Sequence, residues 1–174
     1  MDADRKPARL IERVAQLGRS SPGGAEAVWA LVGLRIVMGV LWLANLSWKL
    51  PPDFGRDAPQ GLLYNFRRAE EYAVFPFLRS FVREVVIPHF TLFGWLVFLV
   101  ELTAGTLLTL GLFTRVGALV GSIEALIITL LVVRAPKEWF WGYVMFIAIN
   151  LVLLLTPAAE RLSVDAWLSR RRER

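Results

Sequence analysis

The chain has 174 residues, 56% of them hydrophobic, and a mean hydropathy of +0.51, too apolar for a soluble domain of this length. Cysteine is absent, which excludes disulfide exchange, thiolate catalysis and cysteine-ligated metal, and a single histidine excludes bis-histidine haem ligation within one chain. The net charge of +5 gathers in the tails, a pattern of membrane orientation rather than nucleic-acid binding.

Residues 1–27 are polar and basic. Leu10, Ile11, Val14 and Leu17 recur at helical spacing among Arg9, Arg13 and Arg19, which predicts a short interfacial helix. Ser20-Ser21-Pro22-Gly23-Gly24 then breaks the chain, and no cleavage signal follows, so the first span is expected to be retained. That span covers about 28–48. Arg35, Met38, Trp42, Asn45 and Lys49 form one stripe along it, more polar than the rest, which should face inward.

Residues 50–89 are the one long connection. Phe75, Leu78, Val82, Val85 and Val86 alternate there with Arg79, Arg83 and Glu84, which predicts an amphipathic interfacial helix rather than a span. The second span is about 90–112 and the third about 116–133, joined by a hinge at Phe113-Thr114-Arg115. Gly117, Gly121 and Ala125 give the third span a small-residue face for close packing. A turn at Arg134-Ala135-Pro136-Lys137 leads to a fourth span, about 139–156, and residues 158–174 form a basic tail. The expected fold is an all-α integral membrane four-helix bundle over 28–157, with a long outer loop. Basic residues are more numerous in the tails and hinge than in the loop and last turn, which puts both termini in the cytoplasm.

Four polar residues fall inside these spans: Arg35, Glu101, Glu124 and Asn150. Counted at ~1.5 Å per residue, they lie within a layer of about 6 Å. A charge at membrane depth costs at least ~2.5 kcal/mol, so such residues face the bundle and find partners. Arg35 is the expected cation between the two acids. One arginine cannot neutralise both, so a second cation or a bound proton is required. A purely structural role, fixing helix order, accounts for an Arg35–Glu101 pair as well as chemistry does. On the loop, Lys49, Arg56, Arg67, Arg68, Arg79, Arg83 and His89 could gather an anion, but interleaved acids favour a solvated mixed-charge surface.

The run from Val86 to Arg115, with IPHFTLFGWLVFLVE and then GTLLTLGLFTR, resembles the DoxX/DoxD family of small four-helix membrane proteins. The resemblance extends to Arg35-x-x-x-Gly39, Trp48-Lys49-Leu50-Pro51 and Glu138-Trp139-Phe140-Trp141, and covers about residues 29–168. The long first loop is similar to the DoxD branch, the small subunit of thiosulfate:quinone oxidoreductase. The resemblance implies electron transfer from thiosulfate to a membrane quinone, tetrathionate as product, a second subunit and a prokaryotic inner membrane. Arg35, Lys49, Glu101 and Arg115 are motif positions of the family rather than known catalysts.

The sequence is accordingly read as a membrane subunit of a quinone-linked redox complex. Arg35, Glu101 and Glu124 are the expected catalytic group. Asn45, Lys49, His89 and Asn150 are the expected substrate contacts. Quinone is the expected membrane substrate, and no metal or haem is expected. Lipid and a second redox subunit or larger complex are the expected partners, with self-association left open. The alternative is a non-catalytic scaffold subunit of a larger membrane assembly.

Overall fold

The computed structural model describes residues 23–157, which form six α-helices and, among the described residues, no strand. The interfacial helix expected before residue 23 and the basic tail after 157 lie outside the described residues. Helix α1 is Gly23–Asn45, followed by a 3-10 turn at Leu46–Trp48. Helices α2 (Leu62–Tyr72) and α3 (Pro76–Phe81) belong to the long connection. Helices α4 (Phe90–Leu110), α5 (Thr114–Val132) and α6 (Phe140–Leu155) complete the chain.

Three helical stretches are long and apolar enough to cross a membrane: Gly24–Trp48, Phe90–Leu110 and Thr114–Val132. The fourth expected span, α6, is a shorter apolar helix, ~24 Å long at ~1.5 Å per residue. Helix α4 packs on α1, α5 on α4 and α6 on α5, while α1 and α6 touch much less.

The α4–α5 hinge is as short as expected, three residues, but lies two positions earlier, at 111–113. Gly111, at φ 67°, ends α4 in the left-handed conformation that glycine reaches without a Cβ penalty, and its N–H caps the Leu107 carbonyl. Phe113, also at positive φ, turns the chain into α5, so Thr114 is already helical.

The register between α1 and α4 is set by small residues. A Cβ on Gly39 would stand 2.4 Å from Thr109 Oγ1, and one on Gly105 would stand 2.8 Å from the Leu43 side chain. Backbone therefore meets backbone here, as in small-residue membrane helix pairs. Gly39 faces Gly105 and Thr109, Leu43 faces Gly105, and Asn45 reaches Glu101, so the helices run antiparallel.

The long connection folds over the opposite end as a cap. Leu62, Phe66 and Ala69 of α2, at i, i+4 and i+7, are buried with Phe54, Val82, Val86, Phe90 and Val132. The stretch expected to be one amphipathic helix is α3 running into a π turn at Val82–Val86. Its apolar residues divide: Val82 and Val86 are buried in protein, while Phe75, Phe77 and Phe81 are exposed. The cap is pinned to the far end of α5 and to α6. Val74 N–H donates to the Leu130 carbonyl, and Arg68 donates to Glu138 at 2.6 Å and to the Pro136 carbonyl at 3.0 Å. Tyr143 Oη donates to the same Glu138.

Candidate functional site

Two apolar clusters fill the interior. One holds Met38, Trp42, Ala104, Leu108, Ala118, Ala125 and Leu153, and the other holds the cap residues just named. Glu101 and Lys49 sit where the two clusters meet. Glu101 of α4 is fully buried, and Lys49, one residue past the 3-10 turn, is 2% exposed. Lys49 Nζ donates to Glu101 Oε1 at 2.5 Å. Asn45 Nδ2 donates to the same oxygen at 3.1 Å, and Asn45 Oδ1 accepts from Trp48 Nε1 at 3.0 Å. The Lys49 ammonium also lies 4.3 Å from the centre of the Trp48 ring. A chain of polar contacts thus runs from an exposed indole to a sealed carboxylate.

The second carboxylate oxygen, Glu101 Oε2, is buried without a hydrogen-bond partner. Unsatisfied buried acceptors are rare in folded proteins, and each is costly unless a ligand, proton or water meets it. Glu124 of α5 is 7% exposed and close enough to Lys49 and Glu101 to feel both charges, yet it accepts no hydrogen bond from a described residue. Lys49 thus bonds Glu101 directly and lies within electrostatic reach of Glu124.

The sequence assigned that central cation to Arg35. Arg35 is buried, as expected, but among the described residues the cation on Glu101 is Lys49. The reason is register. Because Asn45 meets Glu101, Arg35 lies ten residues back along α1, ~15 Å away at ~1.5 Å per residue. Gly39 packs on Thr109, so Arg35, one turn further, comes level with the hinge end of α4. Depth counted from estimated span ends cannot detect an offset set by Gly39 and Gly105.

The other expected site residues separate in the same way. Asn45 and Lys49 join Glu101. Asn150 is fully buried on α6, where Nδ2 donates to its own helix at the Phe146 carbonyl (2.9 Å) and Oδ1 faces Gly121. A Cβ on Gly121 would stand 2.6 Å from Asn150 Oδ1 and 3.0 Å from Trp42 Nε1, so this glycine makes room for two buried polar groups. His89 is exposed at the start of α4, its Nδ1 2.9 Å from the Val85 carbonyl. It lies ~18 Å along the helix from Glu101 and is not part of the cluster. Trp48 is the cluster member that is not among the expected site residues. Trp48 carried a signal, three residues after Asn45 and beside Lys49, where an indole N–H can reach back to an amide.

No group of three or more histidine, cysteine or acidic residues able to hold a metal occurs among the described residues. A family model described as the TQO small subunit DoxD matches residues 30–174, which include every residue of this cluster. No curated protein and no solved structure matches the chain.

Proposed function

The chain belongs to the DoxD family, and on that premise we propose that it is the membrane-embedded small subunit of a thiosulfate:quinone oxidoreductase. In that role two thiosulfates each lose one electron as a sulfur–sulfur bond joins them into tetrathionate. The quinone takes the two electrons and two protons and leaves as quinol. A second subunit completes the complex. The four long or apolar helices are read as a four-helix bundle in a prokaryotic inner membrane. Both basic tails then lie in the cytoplasm and the cap faces outward.

The observation that carries this reading is the buried Lys49–Glu101–Asn45 cluster with one carboxylate oxygen left unsatisfied. Ionisable groups at membrane depth are retained against a cost, and functional sites are where they concentrate. Lys49 and Asn45 fix the Glu101 side chain through Oε1. Oε2 is left to exchange a proton with a bound oxygen, as a positioned general acid or base does. Glu124 is the neighbouring acid from which the second proton comes. Arg35 and Asn150, in other layers of the bundle, support the helices.

The same ion pair also favours a scaffold reading, because a buried pair can fix helix register without doing chemistry. The two readings part in one experiment: thiosulfate-dependent quinol formation in membranes carrying both subunits, with the double variant Lys49→Met/Glu101→Gln in place of the wild type. Replacing both partners removes the stranded charge, so the complex is expected to assemble. Loss of quinol formation by an assembled complex supports catalysis. Normal turnover leaves the scaffold reading.

A further inference from the structure

The Glu101 cluster is closed along the bundle axis in both directions. Toward the cap, Phe54 is fully buried on Gly94, where a Cβ would stand 2.7 Å from its ring. Gly94 is seven residues before Glu101, two turns away on the same face of α4. Phe90 and Trp95 hold the Phe54 ring edge-to-face at 6.4 and 5.3 Å. Toward the hinge, Met38, Leu108, Ala118 and Leu153 form a layer with at most 1% exposure. Among the described residues, both directions are filled by buried apolar side chains.

The side remains. Helices α1 and α6 touch less than any other neighbouring pair of long helices, and their contact includes Trp42 edge-to-face with Phe146 at 5.2 Å. Two members of the cluster are not sealed: Asn45 is half-buried, and Trp48 is 38% exposed. Trp48 ends the candidate span Gly24–Trp48, and on the membrane-spanning reading proposed above its exposed surface faces the lipid boundary.

We propose that Trp48 and Asn45 are the lipid-side docking point for the ring of the electron acceptor, an inference that rests on the quinone reading above. The Trp48 indole is held from two directions, by its N–H on Asn45 Oδ1 and by the Lys49 ammonium near its ring. Its rotamer is therefore set before any ligand arrives. An electron-poor planar ring stacks on the exposed part of the electron-rich indole. The Asn45 amide nitrogen has two N–H groups, and Glu101 takes one of them at 3.1 Å. The second N–H is the donor for a ring carbonyl oxygen, which arrives next to the Glu101 carboxyl. The acceptor thus enters sideways from the bilayer. Trp48 acts as a positioning residue and moves no proton itself.

The test uses a short-chain substituted benzoquinone as probe, with two variants of the full chain in lipid nanodiscs and in the complex. Trp48→Leu keeps the apolar bulk and removes the stacking surface. Its expected effect is a rise of about fivefold to tenfold in both the Kd and the KM for the quinone, with the KM for thiosulfate unmoved. Trp48→Phe recovers most of that affinity. A Trp48→Leu protein that binds the quinone as tightly as wild type overturns the docking point. If that variant is normal while Glu101→Gln is inactive, the docking point alone falls. If both are normal, the quinone site as a whole falls.

Discussion

The two ends of the α1–α4 contact are joined by opposite means. Near the hinge, Gly39 and Gly105 bring the helices together with no room for a side-chain carbon. Near the cap, the same two helices are joined by Asn45, Lys49 and Glu101, a polar contact with an ion pair at its centre. The glycine end has a single geometry, since any added atom collides. The polar end borrows that geometry: once Gly39 faces Thr109, Glu101 can only meet Asn45 and Lys49. Close packing sets the register, and the register selects which charges meet.

The largest expected effect comes from breaking the polar end. Lys49→Met strands the Glu101 carboxylate in a dry interior and should cost about 3–5 kcal/mol. The check is the thermal midpoint of the purified chain in detergent. Adding Glu101→Gln to that variant should restore most of the loss. A Lys49→Met protein as stable as wild type would mean that the pair does not hold the helices.

A comparable loss is expected from emptying the seat above the cluster. Phe54→Ala leaves a cavity against Gly94, Phe90 and Trp95, at about 3–5 kcal/mol for a buried phenylalanine. Water access should rise in parallel. The chain has no native cysteine, so a single cysteine at Ala104, fully buried about one turn past Glu101 on α4, reports this directly. Its labelling by a membrane-impermeant maleimide should quicken when Phe54 is removed; an unchanged rate would show that Phe54 is not the seal.

Overpacking the glycine end costs less. Gly39→Ala places a carbon 2.5 Å from the Thr109 backbone nitrogen, and a loss of about 1–3 kcal/mol follows as the helices shift apart. The shift also displaces Asn45 from Glu101, so activity should fall further than stability. Equal losses in both would separate the two ends and undo the comparison. The smallest effect belongs to the cap surface. Arg83–Glu70, at 2.8 Å but with Arg83 64% exposed, should contribute below about 0.5 kcal/mol when Arg83→Ala is scanned in denaturant.

Much of this arrangement is legible in the chain itself. The long apolar runs, the inward stripe of Arg35, Met38, Trp42, Asn45 and Lys49, and the small-residue face of the third span depend on local spacing, which sequence displays. All five stripe residues except Asn45 are buried, and Asn45 is half-buried. What sequence could not display is the offset of one helix against another. Arg35 and Lys49 lie on the same face, and either could serve Glu101 until Gly39 and Gly105 decide the register. The cap was harder to read for a similar reason. Val82 and Phe81 look alike in a hydropathy pattern, yet one is buried under α2 and the other is exposed. Helix α2 is not among the expected elements: Leu62, Phe66 and Ala69 carry its period, but the charged run Arg67-Arg68-Ala69-Glu70-Glu71 reads as loop unless the helical period is followed through it.

The most direct test of the account is the rate of quinone reduction by Glu101→Gln in membranes that hold the assembled complex. The amide keeps the size of the side chain and an oxygen acceptor for Lys49 and Asn45, but it removes both the exchangeable proton and the charge that pairs with Lys49, so the rate is read beside that of Lys49→Met/Glu101→Gln, in which no buried charge is stranded. A fall of about 10²- to 10⁴-fold, with the complex assembled in normal amount, is the predicted result. Turnover at the wild-type rate contradicts the assignment of Glu101 as the group that exchanges a proton with the quinone.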